Sequence, residues 1–177
     1  MIPLPDPPLR HPNDVEPEGE VQQKRRVSPA GSKQLGLLLR PWCPDDAPAL
    51  VAAWADPEIQ RWTRVPAVRD RAAAERWIAD DGGRRQRGFS LDLVVECGGV
   101  VAGEVGLSSF DRAAGTAEIG WWTAAEHRGQ GVASTAGALV VGWALEALHL
   151  VSLIARCDVA NPASVAVARR SGAMVHL

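Results

Sequence analysis

The 177-residue chain has few cysteines, no excess of positive charge and no long apolar run. Its three cysteines, Cys43, Cys97 and Cys157, are odd in number and lack CxxC or histidine spacing, which argues against a disulfide framework and a metal site. A formal net charge of −2 argues against nucleic acid as a partner. Because no segment is apolar enough to cross a bilayer and no signal-peptide pattern opens the chain, we expect a cytoplasmic protein without a membrane partner.

The first 36 residues differ in composition from the rest of the chain. They hold seven of the 13 prolines, an acidic run "NDVEPEGE" and a basic cluster "QKRR", with little apolar periodicity. Such a composition buries too little apolar surface to offset the entropy lost on ordering. The sequence therefore predicts a disordered, proline-rich tail over residues 1–36 and one domain over residues 37–177.

Apolar periodicity after the tail predicts a mixed α/β domain with the order β-α-α-β-β-β-α-β-α. Two alternating strands, "FSLDLVVEC" and "VVAGEVGLSSF", flank Gly98-Gly99, a pair that suits a tight hairpin turn. The clearest helix begins near Gly131 and carries a broad apolar stripe that would face a sheet. The segment "DDGGRRQRG" is expected to be a solvated loop.

A glycine-rich turn joins the predicted strand Thr116–Thr123 to this helix. The N–H groups at a helix start carry partial positive charge, and Gly129 and Gly131 would leave that backbone open to an approaching ligand. The turn therefore predicts a phosphate site, with a plain tight connection as the alternative. It does not match a P-loop or a dinucleotide fingerprint, because both the lysine and the third glycine that those motifs need are missing.

The run Arg128-Gly-Gln-Gly131-Val-Ala133 resembles the Arg/Gln-x-x-Gly-x-Gly/Ala signature of the GNAT N-acetyltransferase superfamily. The similarity extends from about Leu37 to Met174. It includes "GWW" before the signature and "DVANPAS" and "SGA" after it, as in the RimJ/RimL branch. It implies a mostly antiparallel central sheet flanked by helices, with acetyl-CoA as cosubstrate and no metal.

The resemblance also implies a reaction, the transfer of an acetyl group to a primary amine by direct attack in a ternary complex. The acceptor would be a protein N-terminus or a small-molecule amine. A domain that binds CoA with weak or no turnover is the alternative. The resemblance places the cofactor on Trp122, Thr123, Arg128, Gly129, Gln130, Gly131, Val132, Ala133, Ser134 and Asn161.

Acetyl transfer needs a proton acceptor for the amine and a proton donor for the departing thiolate. Strand alternation points Glu118 away from the apolar Ala117 and Ile119, so Glu118 is the candidate base, with an ordinary solvent-facing carboxylate as the alternative. Many superfamily members donate the proton from a tyrosine, and this chain contains none. The resemblance passes that role to Ser164, whereas Cys157 is expected to be a buried apolar residue rather than an acetylated nucleophile.

Superfamily members continue past "SGA" with further strands, whereas only residues 174–177 follow here. We therefore expect the sheet to lack its last C-terminal strand or strands. An exposed sheet edge is covered by a partner or drives association. A homodimer through this edge, or aggregation, with weak activity, is the expected consequence.

Overall fold

The computed structural model describes residues 1–11 and 36–177, which form a central sheet with helices on both faces. The strands are β1 (Leu37–Pro41), β2 (Ser90–Cys97), β3 (Val100–Asp111), β4 (Thr116–Thr123), β5 (Ser152–Arg156) and β6 (Met174–His176). The helices are α1 (Ala47–Ala55), α2 (Pro57–Trp62), α3 (Arg71–Ala79), α4 (Asp81–Arg87), α5 (Val132–Ala147) and α6 (Pro162–Ser171). This mixed α/β architecture confirms the predicted fold class.

The six strands lie in the order β1-β2-β3-β4-β5-β6. Strands β1 to β4 are antiparallel, whereas β5 and β6 are parallel to β4. Gly98 and Gly99 make the predicted β2–β3 turn, with φ of 60° and 83°. Strand β4 pairs with β5 only over Thr116–Glu118, so the two strands diverge beyond that point.

The two faces of the sheet bury separate apolar clusters. On one face, Leu39, Leu93, Val105 and Ile119 pack in the same cluster as residues of α5 and α6. On the other face, Val94 of β2 packs with the tryptophans and small residues of α1 and α3. Alternation along β4 divides its residues between the two faces, because successive side chains of a strand point in opposite directions.

The segment "DDGGRRQRG" is helical, so its prediction as a solvated loop was wrong. It forms α4, which ends at Gly88 with a left-handed φ of 76°. Arg84 pairs with Asp81 at 3.6 Å and with Asp92 of β2 at 3.3 Å, and its guanidinium lies over the Trp77 ring. These tertiary contacts stabilise a helix that two internal glycines disfavour. Helix α2 and strand β6 were also missing from the predicted order.

Residues 1–11 lie against the domain rather than apart from it, unlike the tail that composition predicted. The Ile2 side chain is 5% exposed, and its N–H donates to the Arg85 carbonyl at 3.0 Å. Leu39 donates to the Leu9 carbonyl at 2.9 Å, and Arg10 forms an antiparallel bridge with Leu38. The open edge of β1 thus gains backbone partners. The rest of the predicted tail, residues 12–35, lies outside the described residues.

At the other end of the sheet, β6 pairs with β5 and forms the edge. Within the described parts of the chain, no helix has the length and hydropathy that crossing a membrane would require.

Candidate functional site

A cleft of about 390 Å³ opens where β4 and β5 diverge. The turn after β4 and the start of α5 form one wall, the start of α6 forms the other, and α2 borders it. All the residues predicted to bind cofactor, except Gln130, line this cleft together with Ser164. The structure therefore brings together residues that lie more than 40 positions apart in the sequence. The lining residues among those predicted are Trp122, Thr123, Arg128, Gly129, Gly131, Val132, Ala133, Ser134, Asn161 and Ser164.

The glycine turn has the geometry of an anion site. Gly129 and Gly131 have φ of 73° and 83°, a region that favours glycine, and no atom lies within 4 Å of where either Cβ would stand. Gly131 is the N-cap of the 16-residue helix α5 and offers no side-chain acceptor to the first helical N–H groups. These N–H groups are therefore left for a bound anion, which the helix dipole also favours.

Arg128 is fixed in the turn by two contacts. Its Nη2 lies 2.6 Å from Asp56 Oδ2, and its Nε donates to the Thr123 carbonyl at 3.0 Å. Asp56 is also the N-cap of α2, where it accepts from two backbone N–H groups. Gln130 donates to the Glu126 carbonyl at 2.7 Å. It therefore stabilises the turn and does not line the cleft.

The opposite wall combines Asn161, Ser164 and Cys157. Asn161 caps α6 by accepting from the Ser164 N–H at 3.0 Å, and it borders the cleft as well, so its two expected roles are compatible. The Ser164 hydroxyl lies 3.7 Å from the Cys157 sulfur. Cys157 is buried, as the sequence predicted. A hydroxyl beside the cleft is the group that could donate a proton there.

Glu118 has the predicted direction but does not line this cleft. Ala117 and Ile119 are buried in the cluster under α5, so Glu118 points to the opposite face. Its carboxylate is 29% exposed and pairs with Arg156 Nε at 2.8 Å. Glu118 does not line the cleft, so the structure does not bring the predicted base to the glycine turn.

A second cleft of about 240 Å³ lies on the α1–α3 face of the sheet. It shares Ile59, Thr63, Trp121 and Trp122 with the first cleft, so the two adjoin. Its lining also contains two carboxylates that sequence reasoning missed, Asp92 and Glu104.

The surroundings of both carboxylates raise their pKa values. Burial first, and then the nearby charge of Asp92, raises the pKa of Glu104 to about 8. Burial also raises the pKa of Asp92. The available sequence signal was an acidic residue inside the apolar run "VVAGEVGLSSF", but alternation alone could not tell a buried polar face from a solvated one.

In the part of the chain that the structure describes, no three histidine, cysteine or acidic side chains group as metal ligands would.

Comparison with known proteins agrees with this geometry. Residues 36–174 match the acetyltransferase (GNAT) domain family. The chain belongs to this family of acetyltransferases. The uncharacterized N-acetyltransferase p20 of Bacillus licheniformis is 27% identical over 131 residues, which are 73% of this chain and 74% of the relative. The ribosomal-protein-serine acetyltransferase of Escherichia coli K12 is 30% identical over 87 residues, and the match spans 49% of each chain.

Solved structures show the same fold. A probable acetyltransferase superposes with a TM-score of 0.70 at 23% identity, covering 76% of both chains. RimL, a ribosomal α-N-protein acetyltransferase in complex with coenzyme A, gives a TM-score of 0.69 at 24% identity, covering 76% of this chain and 78% of its own. The immunity acetyltransferase MccE, in complex with acetyl-CoA and AMP, gives 0.67 at 23% identity, covering 77% of both chains.

Proposed function

We propose that this acetyltransferase moves the acetyl group of acetyl-CoA to a primary amine by direct attack in a ternary complex. The observation that carries the proposal is the open glycine turn at the start of α5, facing Asn161 and Ser164 across one cleft. A phosphate-bearing ligand fits the turn because no side chain fills it and helix-start N–H groups point to it. The structures of MccE and RimL that hold acetyl-CoA or CoA support the same cosubstrate here.

Each wall of the cleft would serve one part of the cosubstrate. The N–H groups of Gly129, Gly131 and the first turn of α5 would bind the pyrophosphate, with Arg128 adding charge. The backbone near Trp122 and Thr123 would polarise the acetyl carbonyl, because β4 has no β5 partner beyond Glu118. Asn161 would contact the cofactor from α6 while it caps that helix.

Ser164 would return a proton to the sulfur when the carbon–sulfur bond breaks. The new bond joins the nitrogen of the neutral amine to the acetyl carbon. The nitrogen then carries one proton more than the amide product keeps, and it loses that proton. The hydroxyl of Ser164 can accept that proton as it gives its own to the thiolate, so the group acts as a relay and is restored. No tyrosine exists in the chain to perform this step.

A second candidate function is a domain that binds CoA with weak or no turnover. The specific observation in its favour is the same absence of tyrosine, because a serine hydroxyl is a poorer proton donor than a phenol. The glycine turn would serve both functions equally. Only turnover separates them.

The acceptor would be a peptide N-terminus or a small-molecule amine met in the cytoplasm. The E. coli relative is a ribosomal-protein-serine acetyltransferase, which supports a protein acceptor. We also propose a homodimer through the edge strand β6, where Met174 is 60% exposed. Light scattering at several protein concentrations tests this, and a monomer at every concentration would contradict it.

One assay tests the proposed transfer. The protein is mixed with acetyl-CoA and with a serine-initiated peptide, spermidine or an aminoglycoside, and free thiol is followed together with the mass of the acceptor. We expect thiol release and acetylated acceptor in equal amounts. Calorimetric binding of CoA without either product would favour the second candidate, and no binding of CoA would contradict both.

A further inference from the structure

The second cleft has a floor without side chains. Gly106 of β3 and Gly120 of β4 are directly opposite each other, and both face the α1–α3 side. The Asp92 carboxylate leans over Gly106, because a Cβ there would meet Asp92 Oδ1 at 2.9 Å. No atom lies within 4 Å of a Cβ built on Gly120, so that part of the floor is open. The pair of glycines thus leaves room for a small group beside β4.

Glu104 of β3 stands next to this floor, with the charge of Arg84 acting on it at longer range. Trp42 Nε1 donates to Glu104 Oε2 at 3.0 Å, and the Trp122 side chain also acts to lower the pKa of Glu104. Across residues 1–11 and 36–177, no arginine, histidine or amino terminus forms an ion pair with Glu104. The neutral N–H donor of Trp42 holds the carboxyl group in place and adds no charge. With a pKa of about 8, Glu104 is largely protonated at pH 7 in the free protein, and a cationic ligand beside it would favour its ionised form.

The charged side chains near Glu104 do not provide the cation, because they are paired elsewhere or lie at the rim of the cleft. Asp92 of β2 already pairs with Arg84 of α4 at 3.3 Å and accepts from the Ser90 hydroxyl at 2.7 Å. Arg84 is shared with Asp81 at 3.6 Å. Arg64, also on the cleft lining, is exposed at its rim. The cleft interior therefore carries more acidic than basic groups.

The walls of the cleft also suit an ammonium group. Trp54, Trp77 and Trp122 border it and belong to the apolar cluster on this face of the sheet. The face of an indole ring attracts a cation, and this attraction is largest in a desolvated site. Arg84 already lies 4.0 Å from the centroid of Trp77, which shows that this cluster of rings accepts a cation.

We propose that this cleft receives the ammonium group of the acceptor and that Glu104 takes its proton. The inference rests on the proposed function, because this cleft adjoins the site assigned to the cosubstrate. Trp121 and Trp122 line both. With Glu104 ionised beside the bound ammonium, one N–H bond breaks and the proton moves to a Glu104 oxygen, which leaves a neutral amine with a free electron pair. That pair forms the bond to the acetyl carbon, and the carbon–sulfur electrons leave with the thiolate. The second surplus proton of the nitrogen goes to the sulfur, and Glu104 later loses its proton to water.

This assignment replaces Glu118 as the base for a geometric reason. Glu118 already has a cation, Arg156, at 2.8 Å and borders neither cleft. The raised pKa of Glu104 also suits the role, since a general base is most effective when its pKa lies near the operating pH. Asp92 and Arg64 are the other charged groups that line the cleft, and the charges of Asp92 and Arg84 modulate the pKa of Glu104.

The test compares Glu104→Gln and Glu104→Asp with two matched variants. Glu118→Gln represents the rival base, and Glu146→Gln removes an exposed carboxylate on the outer side of α5. The acceptor is a serine-initiated peptide with a free N-terminus, and kcat/KM is measured from pH 6 to pH 9.5. We expect E104Q to lower kcat/KM about a hundredfold at pH 7 while CoA affinity is unchanged, with E104D partly active.

The pH profile separates a base from a structural residue. The deficit of E104Q is expected to shrink above about pH 8, where the α-amine of the peptide becomes neutral and needs no base. A structural defect would instead lower activity by the same factor at every pH. A constant deficit, an active E104Q, or loss of the pH-dependent term in E118Q instead would overturn the proposal.

A binding measurement tests the cleft without relying on turnover. Tryptophan fluorescence follows the titration of the CoA-bound protein with the same peptide and with its N-acetylated form. We expect the free peptide to bind the wild type and E146Q, to bind E104Q more weakly, and the acetylated peptide to bind none of them tightly. Equal binding of both peptides, or equal binding to wild type and E104Q, would contradict the ammonium site. If the wild type shows the expected binding but transfers no acetyl group, the failure belongs to the proposed function.

Discussion

Arg128 of the glycine turn lies 2.6 Å from Asp56, the N-cap residue of α2. The contact joins two elements that are 72 positions apart in the sequence. Burial alone would raise the pKa of Asp56, but hydrogen bonds from the Ile59 N–H, Arg128 and the Glu58 N–H outweigh it and lower that pKa. Asp56 is therefore a carboxylate at neutral pH, and it would compete for Arg128 with a pyrophosphate bound as we propose.

The first prediction is that Asp56→Asn binds CoA more tightly than the wild type. Asparagine is an equally good N-cap, so α2 is expected to remain stable, while the charge that competes for Arg128 is lost. Because the pair is partly exposed, we expect the CoA Kd to fall about two- to fivefold, and less at high salt. Isothermal titration calorimetry measures this.

The matched control is Asp70→Asn. Asp70 caps α3 by accepting from the Ala73 N–H, and it does not border either cleft. We expect its CoA affinity to equal that of the wild type. If both variants change the affinity alike, the effect comes from general electrostatics and not from competition for Arg128.

A second prediction concerns the glycine turn. Gly131→Asp places a β-carbon and a negative charge where the phosphate is expected, so the CoA Kd should rise by more than about tenfold, or about 1.4 kcal/mol. Gly99→Asp is the control, because Gly99 has the same φ of 83° and equally open surroundings in the β2–β3 turn. Both variants carry similar backbone strain. Equal CoA binding by folded G131D and G99D would contradict the phosphate assignment.

The local chemistry of the glycine turn could be predicted from the sequence because it depends on neighbouring residues. The strand Thr116–Thr123 has the predicted bounds, and α5 starts one residue after Gly131 as its N-cap. Asn161 and Gly172 likewise begin and end α6 through local capping. Each of these features follows from conformational preferences within a few residues.

The acceptor side could not be predicted in this way because it depends on distant partners. Helix α4 forms despite its two glycines since Arg84 pairs with Asp92 of β2. Glu104 differs from Glu118 only in what packs over it, namely the indoles of Trp42 and Trp122 rather than Arg156. Alternation gives the direction of a side chain, but it does not tell whether a helix or solvent covers that face.

A third prediction distinguishes direct attack from an acetylated cysteine. Cys157→Ala is expected to keep kcat within about threefold of the wild type, because the direct attack that we propose needs no covalent enzyme intermediate. Initial-rate plots against both substrates should intersect. Loss of turnover in C157A, together with parallel plots, would instead indicate a ping-pong reaction through Cys157.

The last prediction concerns the pH dependence of stability at the start of the domain. Arg40 pairs with Asp46 at 2.7 Å and with Glu96 at 2.7 Å, and the Asp46 side chain is 6% exposed. Burial raises the pKa of Asp46, but the hydrogen bonds from Arg40 and from Cys43 outweigh burial, so the pKa is lowered overall. A lowered pKa means that the folded state binds the proton less tightly than the unfolded state does. The contribution to stability is therefore complete above the unfolded pKa of about 3.9 and is lost as the pH falls through the folded value.

Arg40→Met removes the cation from this pair and is expected to lower the free energy of unfolding by about 2 kcal/mol at pH 7, since it leaves a buried carboxylate without its charged donor. The loss should become smaller as the pH falls below the unfolded pKa of about 3.9, because protons then bind Asp46 of the unfolded wild type and the contribution of the pair to stability declines. Arg71→Met is the control, because the Arg71–Glu75 pair has the same kind of contact, at 2.8 Å, but lies exposed on α3. We expect it to change stability by less than about 0.5 kcal/mol at any pH. Urea unfolding at pH 3, 5 and 7 measures both variants, and an equal loss for R40M at all three pH values would show that Asp46 is not the group that the pair stabilises.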